Sequence, residues 1–451
     1  MRSTFLCSVA SLVMLSSTAF AQSEGEFPAK LAGHAVLPAT STIDAPADAP
    51  NDLKTSGKYT TGKRVDALGT VMGKSYERAT GISLPMKGQP LQGHSGIKVM
   101  PDGSFWVLTD NGAGSRYNSA DYMIYLNHHK IDWKNGKVEK QATVFLHDPD
   151  KKVPFRIVHE DTAKRYLTGA DVDTEGFQII GDNFWIGEEF GPYIIKADKT
   201  GKVLAVFDTV ADGKPVRSPD HWSVQSPGAP GATYTTVNLR RSKGYEGFAS
   251  SKDGKFLYGL LEGPIWDAEK KDWEKVDGKE ASRILEFDVA HEKFTGRYWQ
   301  YVFEQNGNAI GDFNMITADN GLIIERDNGE GTKDKACADG KRGEDCFPDL
   351  AKFKRVYKIE LNDANVGKPV RKVGFIDLMK IQDPNKLARK PLNDGVLTFP
   401  FFTIENVDQV DATHIIVGND NNLPFSSSRE PNKADDNEFV LLEVADFLKA
   451  K

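Results

Sequence analysis

From about residue 60 onward the chain alternates short apolar runs with Gly, Asn and Asp breaks. Residues 104–109 (SFWVLT), 183–187 (NFWIG), 255–261 (KFLYGLL), 321–325 (GLIIE) and 414–418 (HIIVG) are of this kind. Aromatic and β-branched residues bounded by turn formers predict strands. Helical periodicity is scarce, with residues 377–380 and 444–449 the best candidates. The expected class is all-β. Residues 22–60, rich in Ala, Pro, Thr and Asp, show no sustained period and read as an extended lead-in with one or two edge strands.

The strand pattern repeats. An entry segment with a polar marker recurs at 93–97 (GHSGI), 173–177 (DTEGF), 244–248 (GYEGF), 311–315 (GDFNM) and 403–407 (TIENV). After a turn, each is followed by a strand ending in acidic or amide residues, at 110–112 (DNG), 188–191 (EEFG), 262–264 (EGP), 325–327 (ERD) and 419–421 (NDN). Ser95, Glu175, Glu246, Asn314 and Glu405 are the markers, 68 to 91 residues apart. Further runs at 122–125, 193–195, 283–287, 355–359 and 438–442 bring each unit to about four strands, the content of a propeller blade. The spacing exceeds the ~40–50 residues of an ordinary blade, so each blade carries insertions. This predicts a β-propeller over 61–451 with five visible blades, six if the N-terminal region contributes more. An N-terminal strand at 64–71 is expected to complete the fifth blade and close the ring. A β-sandwich does not explain one polar marker returning at the same place in every unit.

The N-terminus alters the picture of where the protein works. Arg2, the uncharged run 5–20 and the small residues of Ala19-Phe20-Ala21 predict a signal peptide over 1–21, cleaved before Gln22. The run is shorter than the roughly 20 residues needed to span a bilayer, and no later segment is long enough, so no membrane span is expected. The mature protein is expected to be periplasmic or secreted. Cleavage removes Cys7 and leaves Cys337 and Cys346, which in an oxidising compartment predict a disulfide closing a charged loop. A net charge of −7 without a dense basic run gives no footprint for nucleic acid.

The motifs at 93–96, 173–177, 188–192, 244–248, 261–264 and 404–407 together resemble the phytase-like family (esterase-like activity of phytase), from about residue 90 to the C-terminus. The resemblance implies an exported propeller with ester or phosphoester hydrolase activity.

In a propeller the innermost strands converge on an axis, so a marker repeated in each blade forms a ring there. Glu175, Glu246 and Glu405 would meet with Ser95 and Asn314, close to Asp110, Glu188, Glu189, Glu262, Glu325, Asp327 and Asp420. So many carboxylates in one pocket need a counter-charge. An oxygen-rich set with few histidines suits calcium, with Glu175, Glu189, Glu246, Glu262, Glu405 and Asp420 as expected ligands. The competing account pairs these acids structurally with backbone amides or with Arg240, Arg241 and Arg326. On the catalytic account, Glu175 and Glu246 serve a metal-activated water, Arg240 and Arg326 clamp the developing charge, and His94, Ser95, Asp110 and Asn314 contact a small ester or phosphoester. No Gly-x-Ser-x-Gly elbow supports a serine nucleophile. The alternative is a non-catalytic propeller binding a ligand or cell-surface partner, with calcium as a structural plug.

Overall fold

The computed structural model describes residues 25–224, 237–338 and 341–451; the expected signal peptide at 1–21 lies outside them. Five antiparallel four-stranded blades surround one axis. Blade 1 runs from the inside outward as His94–Val99, Phe105–Thr109, Tyr125–Asp132 and Lys137–Phe145. Blade 2 is Thr174–Ile180, Asn183–Glu188, Tyr193–Asp198 and Val203–Asp208. Blade 3 is Tyr245–Ser250, Phe256–Leu261, Lys279–Asp288 and Lys293–Val302. Blade 4 is Ala309–Met315, Asn320–Arg326, Lys354–Glu360 and Arg371–Asp377. Blade 5 takes Asn406–Gln409, His414–Gly418 and Asn437–Glu443 from the C-terminal region and Lys30–Leu37 from the N-terminal one.

The ring closes with an N-terminal strand, but not the one expected. Residues 64–70 form no strand, and Val71–Ser75 folds back on Arg78–Leu84 as a separate hairpin. The closing strand, Lys30–Leu37, is KLAGHAVL, whose Ala, Gly and His give it a weak strand signal. Gly33 is there for fit: a Cβ would lie 2.6 Å from the Trp133 ring. Glu26–Phe27 adds in parallel outside Arg371–Asp377. The boundary drawn at residue 61 therefore falls after segments that are built into blades. No sixth blade occurs among the described residues. Residues 378–380 are a turn, and among the described residues the α-helix is Ala445–Lys449.

Blades stack face to face, and the core is divided into layers between them. Leu108 and Ile124 of blade 1 meet Phe177 and Ile186 of blade 2. Trp185 and Ile194 of blade 2 meet Phe248 and Leu257 of blade 3. Leu260 and Trp299 of blade 3 meet Phe313 and Ile323 of blade 4. Leu322 and Val356 of blade 4 meet Val407 and Val440 of blade 5. Ile416 and Phe439 of blade 5 return to Ile97 and Val107 of blade 1. An apolar layer in every gap is what a closed ring requires. Strands covered on both faces, such as Asn183–Glu188 and Asn320–Arg326, are buried at nearly every position, so they read as apolar runs rather than alternations. Outer strands such as Lys137–Phe145 stay largely exposed. Each fully buried phenylalanine of these layers contributes about 1.5–3 kcal/mol.

Cys337 and Cys346 form the expected disulfide, on the connection between the second and third strands of blade 4. No helix among the described residues is long and apolar enough to cross a membrane.

Candidate functional site

Strand register shows how the ring at the axis is made. His94 pairs with Thr109 and Ile97 with Val107 in blade 1, and Thr174 with Glu188 and Phe177 with Ile186 in blade 2. Blade 3 repeats this with Tyr245–Leu261 and Phe248–Gly259. Ser95, Glu175 and Glu246 occupy the same irregular step just inside each pairing. The glycine after each marker allows the next inner strand to approach. A Cβ at Gly176 would lie 2.6 Å from that of Phe248, and one at Gly247 2.6 Å from that of Phe313. The recurring Glu-Gly-Phe thus has three jobs: an acid for the axis, a gap for the neighbouring strand, and an aromatic for the inter-blade layer.

Blade 4 departs from the expected ring. Ile310 pairs with Glu325 and Phe313 with Ile323, so the marker position is Gly311, not Asn314. Asn314 follows the buried phenylalanine and joins a polar knot below the pocket. Its Nδ2 donates to the carbonyls of Ile97 (3.1 Å) and Val407 (3.0 Å), and its Oδ1 accepts from Gln178 Nε2 (2.8 Å). Blade 4 instead sends Arg326 to the pocket from the end of its second strand.

The pocket at the axis has a volume of about 450 Å³. Asp110, Asp173, Glu175, Glu189, Glu246, Glu262, Glu405 and Asp420 line it, against two cations among the described residues, Lys243 and Arg326. Ligand atoms of three overlapping triads, Asp173–Glu175–Glu189, Glu175–Glu246–Glu405 and Glu189–Glu246–Glu262, lie within 4.8 Å of one another and can hold a metal ion. Glu189 Oε1 and Glu246 Oε1 are buried with no hydrogen-bond partner among the described residues. Other oxygens are held. Ser95 Oγ donates to Glu405 Oε2 (2.9 Å), Arg326 Nη2 faces Glu405 Oε1 (3.4 Å), and Asn111 Nδ2 donates to Asp173 Oδ2 (2.7 Å). Lys243 Nζ pairs with Glu262. Arg326 also donates to Asn328 Oδ1 (3.1 Å) and lies over the Phe402 ring, while its Nε has no acceptor among the described residues. Tyr76, at the turn of the 71–84 hairpin, stands over the mouth with Arg342 of the disulfide loop against its ring.

Burial and mutual repulsion disfavour charge on seven of the pocket's carboxylates. Burial and then Asp173 raise Asp110 to about 7, and burial raises Asp173 to about 6. Burial raises Glu405 to about 7 despite Arg326. Burial first and neighbouring carboxylates second push Glu175, Glu189, Glu246 and Asp420 well above the ordinary range.

Several expected site residues lie elsewhere. His94 points away from Ser95, as alternate residues of a strand do, into a buried aromatic cluster with His129 and Phe439. It is no substrate contact. Arg240 pairs with Glu280 (2.9 Å) and stacks on Trp273 at the surface, away from the pocket. Glu188 accepts from the backbone N–H groups of Phe190, Gly191 and Tyr193; Glu325 binds Tyr301 and Lys372; Asp327 binds Lys354. Ser95 sits behind Glu405 rather than on the pocket wall. Asp173, Lys243 and Asn111 belong to the site and were not expected there; Asp173 and Asn111 lie in the recurring segments 173–177 and 110–112, which could have pointed to them, whereas Lys243 lies just before the segment 244–248 and carries no such mark.

A family model described as "Phytase-like: Esterase-like activity of phytase" matches residues 89–423. The chain belongs to that family. Among curated proteins this phytase-like chain is 27% identical over 146 residues to an uncharacterized secreted protein of Arthroderma benhamiae. The match covers 28% of this chain and 26% of that protein's length. Among solved structures, a luciferin-regenerating enzyme is 9% identical, with a TM-score of 0.32, over 78% of this chain and 94% of its own. The PQQ-bound aldose sugar dehydrogenase of Streptomyces coelicolor is 10% identical, with a TM-score of 0.31, over the same 78% and 94%. Likenesses this low say nothing of the phytase-like chain's chemistry.

Proposed function

We propose that the protein is an exported hydrolase of phosphoesters or small esters that works with calcium in the axial pocket. The observation that carries this is the pair of buried oxygens, Glu189 Oε1 and Glu246 Oε1, left without a donor where eight carboxylates converge. Leaving such groups unmatched is costly, and a cation removes the cost. Among the described residues the lining contains no His or Cys, so the donors are hard oxygens of the kind calcium takes six to eight at a time. Asp173, Glu175, Glu189, Glu246, Glu262 and Glu405 would hold the ion. When bound, calcium supplies Lewis acidity toward the substrate's oxygen and toward water.

The chain's own residues bind and orient the substrate. Arg326, which lines the pocket, binds an anionic oxygen, and its contacts with Asn328 and Phe402 fix the guanidinium plane. Asp110 faces the cavity and accepts a substrate hydroxyl, while Ser95 keeps Glu405 in place. Tyr76 and Phe402 narrow the mouth and limit water. Membership of the phytase-like family and the secreted relative support an exported esterase-type enzyme.

The test is an ester and phosphoester panel run on metal-free protein, with calcium restored, and on Glu246→Gln. Hydrolysis should appear only with calcium and fall at least tenfold in the variant, about 1.4 kcal/mol of lost transition-state stabilisation. Calcium binding without cleavage of any ester would instead make the protein a binding module with structural calcium.

A further inference from the structure

Lys243 differs from the pocket's other cation. Arg326 is 6% exposed and held by Glu405, Asn328 and Phe402, whereas Lys243 is 34% exposed and its Nζ makes one contact among the described residues, to Glu262. The residue lies just before the inner strand of blade 3, outside the ladder. Its stem is nevertheless fixed. A Cβ at Gly263 would come within 2.8 Å of Lys243 Cβ, 3.0 Å of Cγ and 3.1 Å of Cδ, so only glycine lets the stem lie there. The root is packed on Gly263, and the side chain lines the pocket with its ammonium on Glu262. Glu262, which it neutralises, shares a triad with Glu189 and Glu246, the two residues with unmatched oxygens.

We infer that Lys243 is a displaceable internal counter-ion, which a cation entering the Glu189–Glu246–Glu262 triad expels toward the mouth to hold an anionic substrate oxygen beside Arg326. This rests on reading the pocket as a cation site. The physical basis is short. An ammonium and a metal ion on the same carboxylate repel, and the more highly charged ion keeps the oxygens. The lysine that is driven off has a fixed stem and a free head, so it stays at the pocket rim as a point charge suited to phosphate or carboxylate. Cation and anion should then bind with positive coupling, and the coupling must be reciprocal.

Calorimetric titrations of the exported protein with calcium alone, inorganic phosphate alone, and each in the presence of the other test this. In the natural chain each ion should tighten the other by about tenfold. Lys243→Met keeps the stem against Gly263 but removes the charge. It should bind calcium more tightly than the natural chain when phosphate is absent, and the coupling should vanish. Lys243→Arg should retain the coupling, and Glu262→Gln should weaken calcium. A lysine that merely braces the fold would not make calcium tighter when removed. Weaker calcium binding by Lys243→Met, with unchanged circular dichroism and thermal unfolding, overturns the proposal, as does coupling that survives the substitution. If the natural chain binds no calcium, the cation site itself fails and the proposal with it. If calcium binds and no ester is cleaved, the hydrolase is lost while the coupling still decides the role of Lys243.

Discussion

The axial pocket and the seam that closes the ring both bury acidic side chains, yet burial has opposite consequences in the two places. At the seam, Glu438 of blade 5 is 1% exposed and accepts from Arg429 Nε (2.8 Å) and Nη2 (2.7 Å), His34 Nε2 (3.1 Å) and, at longer range, Lys390 (3.4 Å). Burial opposes its charge, but Arg429 and then His34 overcome it and hold Glu438 at about 2. His34 lies on the N-terminal closing strand, so this cluster joins the two ends of the chain. In the pocket, eight carboxylates share two cations among the described residues, and burial prevails at Glu175, Glu189, Glu246 and Asp420. Compensated acids stay charged when buried; uncompensated ones are pushed toward the neutral form.

The comparison can be broken most sharply at the seam. Arg429→Met strands the Glu438 charge and should cost about 3–5 kcal/mol in denaturant unfolding, the usual loss when one partner of a buried pair is removed. A loss below 1 kcal/mol would show that the seam is not locked this way.

The pH response should carry opposite signs in the two regions. Glu438 has a depressed folded pKa, so its contribution is present above the unfolded value of 4.5 and disappears as pH falls toward 2. Glu405 has a raised one, so its contribution is present below 4.5 and disappears as pH rises through about 7. Each is on the order of 3 kcal/mol. Metal-free protein should therefore be most stable near mildly acidic pH. Glu438→Gln should flatten the acid limb of melting temperature against pH, and Glu405→Gln the neutral limb.

Calcium should sharpen the contrast by supplying what the pocket lacks. At a hundredfold excess over Kd it should add about 2.7 kcal/mol at neutral pH, and less at pH 5, where protons already neutralise the carboxylates. Equal stabilisation at both pH values would count against the pocket as the binding site. The smallest effect belongs to Arg240→Ala. A surface pair with Glu280 is worth less than about 1 kcal/mol, and calcium binding and hydrolysis should not change.

Much of this was legible beforehand because it depends on local pattern. The apolar runs with turn residues gave the strands, and the recurrence of Glu175 and Glu246 with the glycine and phenylalanine after them gave the blades. The fourth marker was misplaced because Asn314 is the polar residue nearest the expected spacing. Aligning the entries on their buried aromatics, Phe177, Phe248 and Phe313, puts Gly311 in the ring. An edge strand was expected within 22–60, but its role in closing the ring was not, because its pairing along the edge of Asn437–Glu443 leaves no local mark in KLAGHAVL.

By itself the sequence determined the all-β class, the repeating unit, the disulfide partners and most of the acids that line the pocket, though it missed Asp173 and wrongly added Glu188, Glu325 and Asp327, since each determined feature follows from side-chain type and short-range spacing. Tertiary structure alone decided which cations reach those acids. Arg240 and Arg326 look alike along the chain, but one ends at a surface stacked on Trp273 and the other at the axis beside Glu405. Lys243 carries no motif, and its place at the pocket mouth depends on a glycine 20 residues later. Charge compensation is set by distances across blades, and those exist only once the ring has closed.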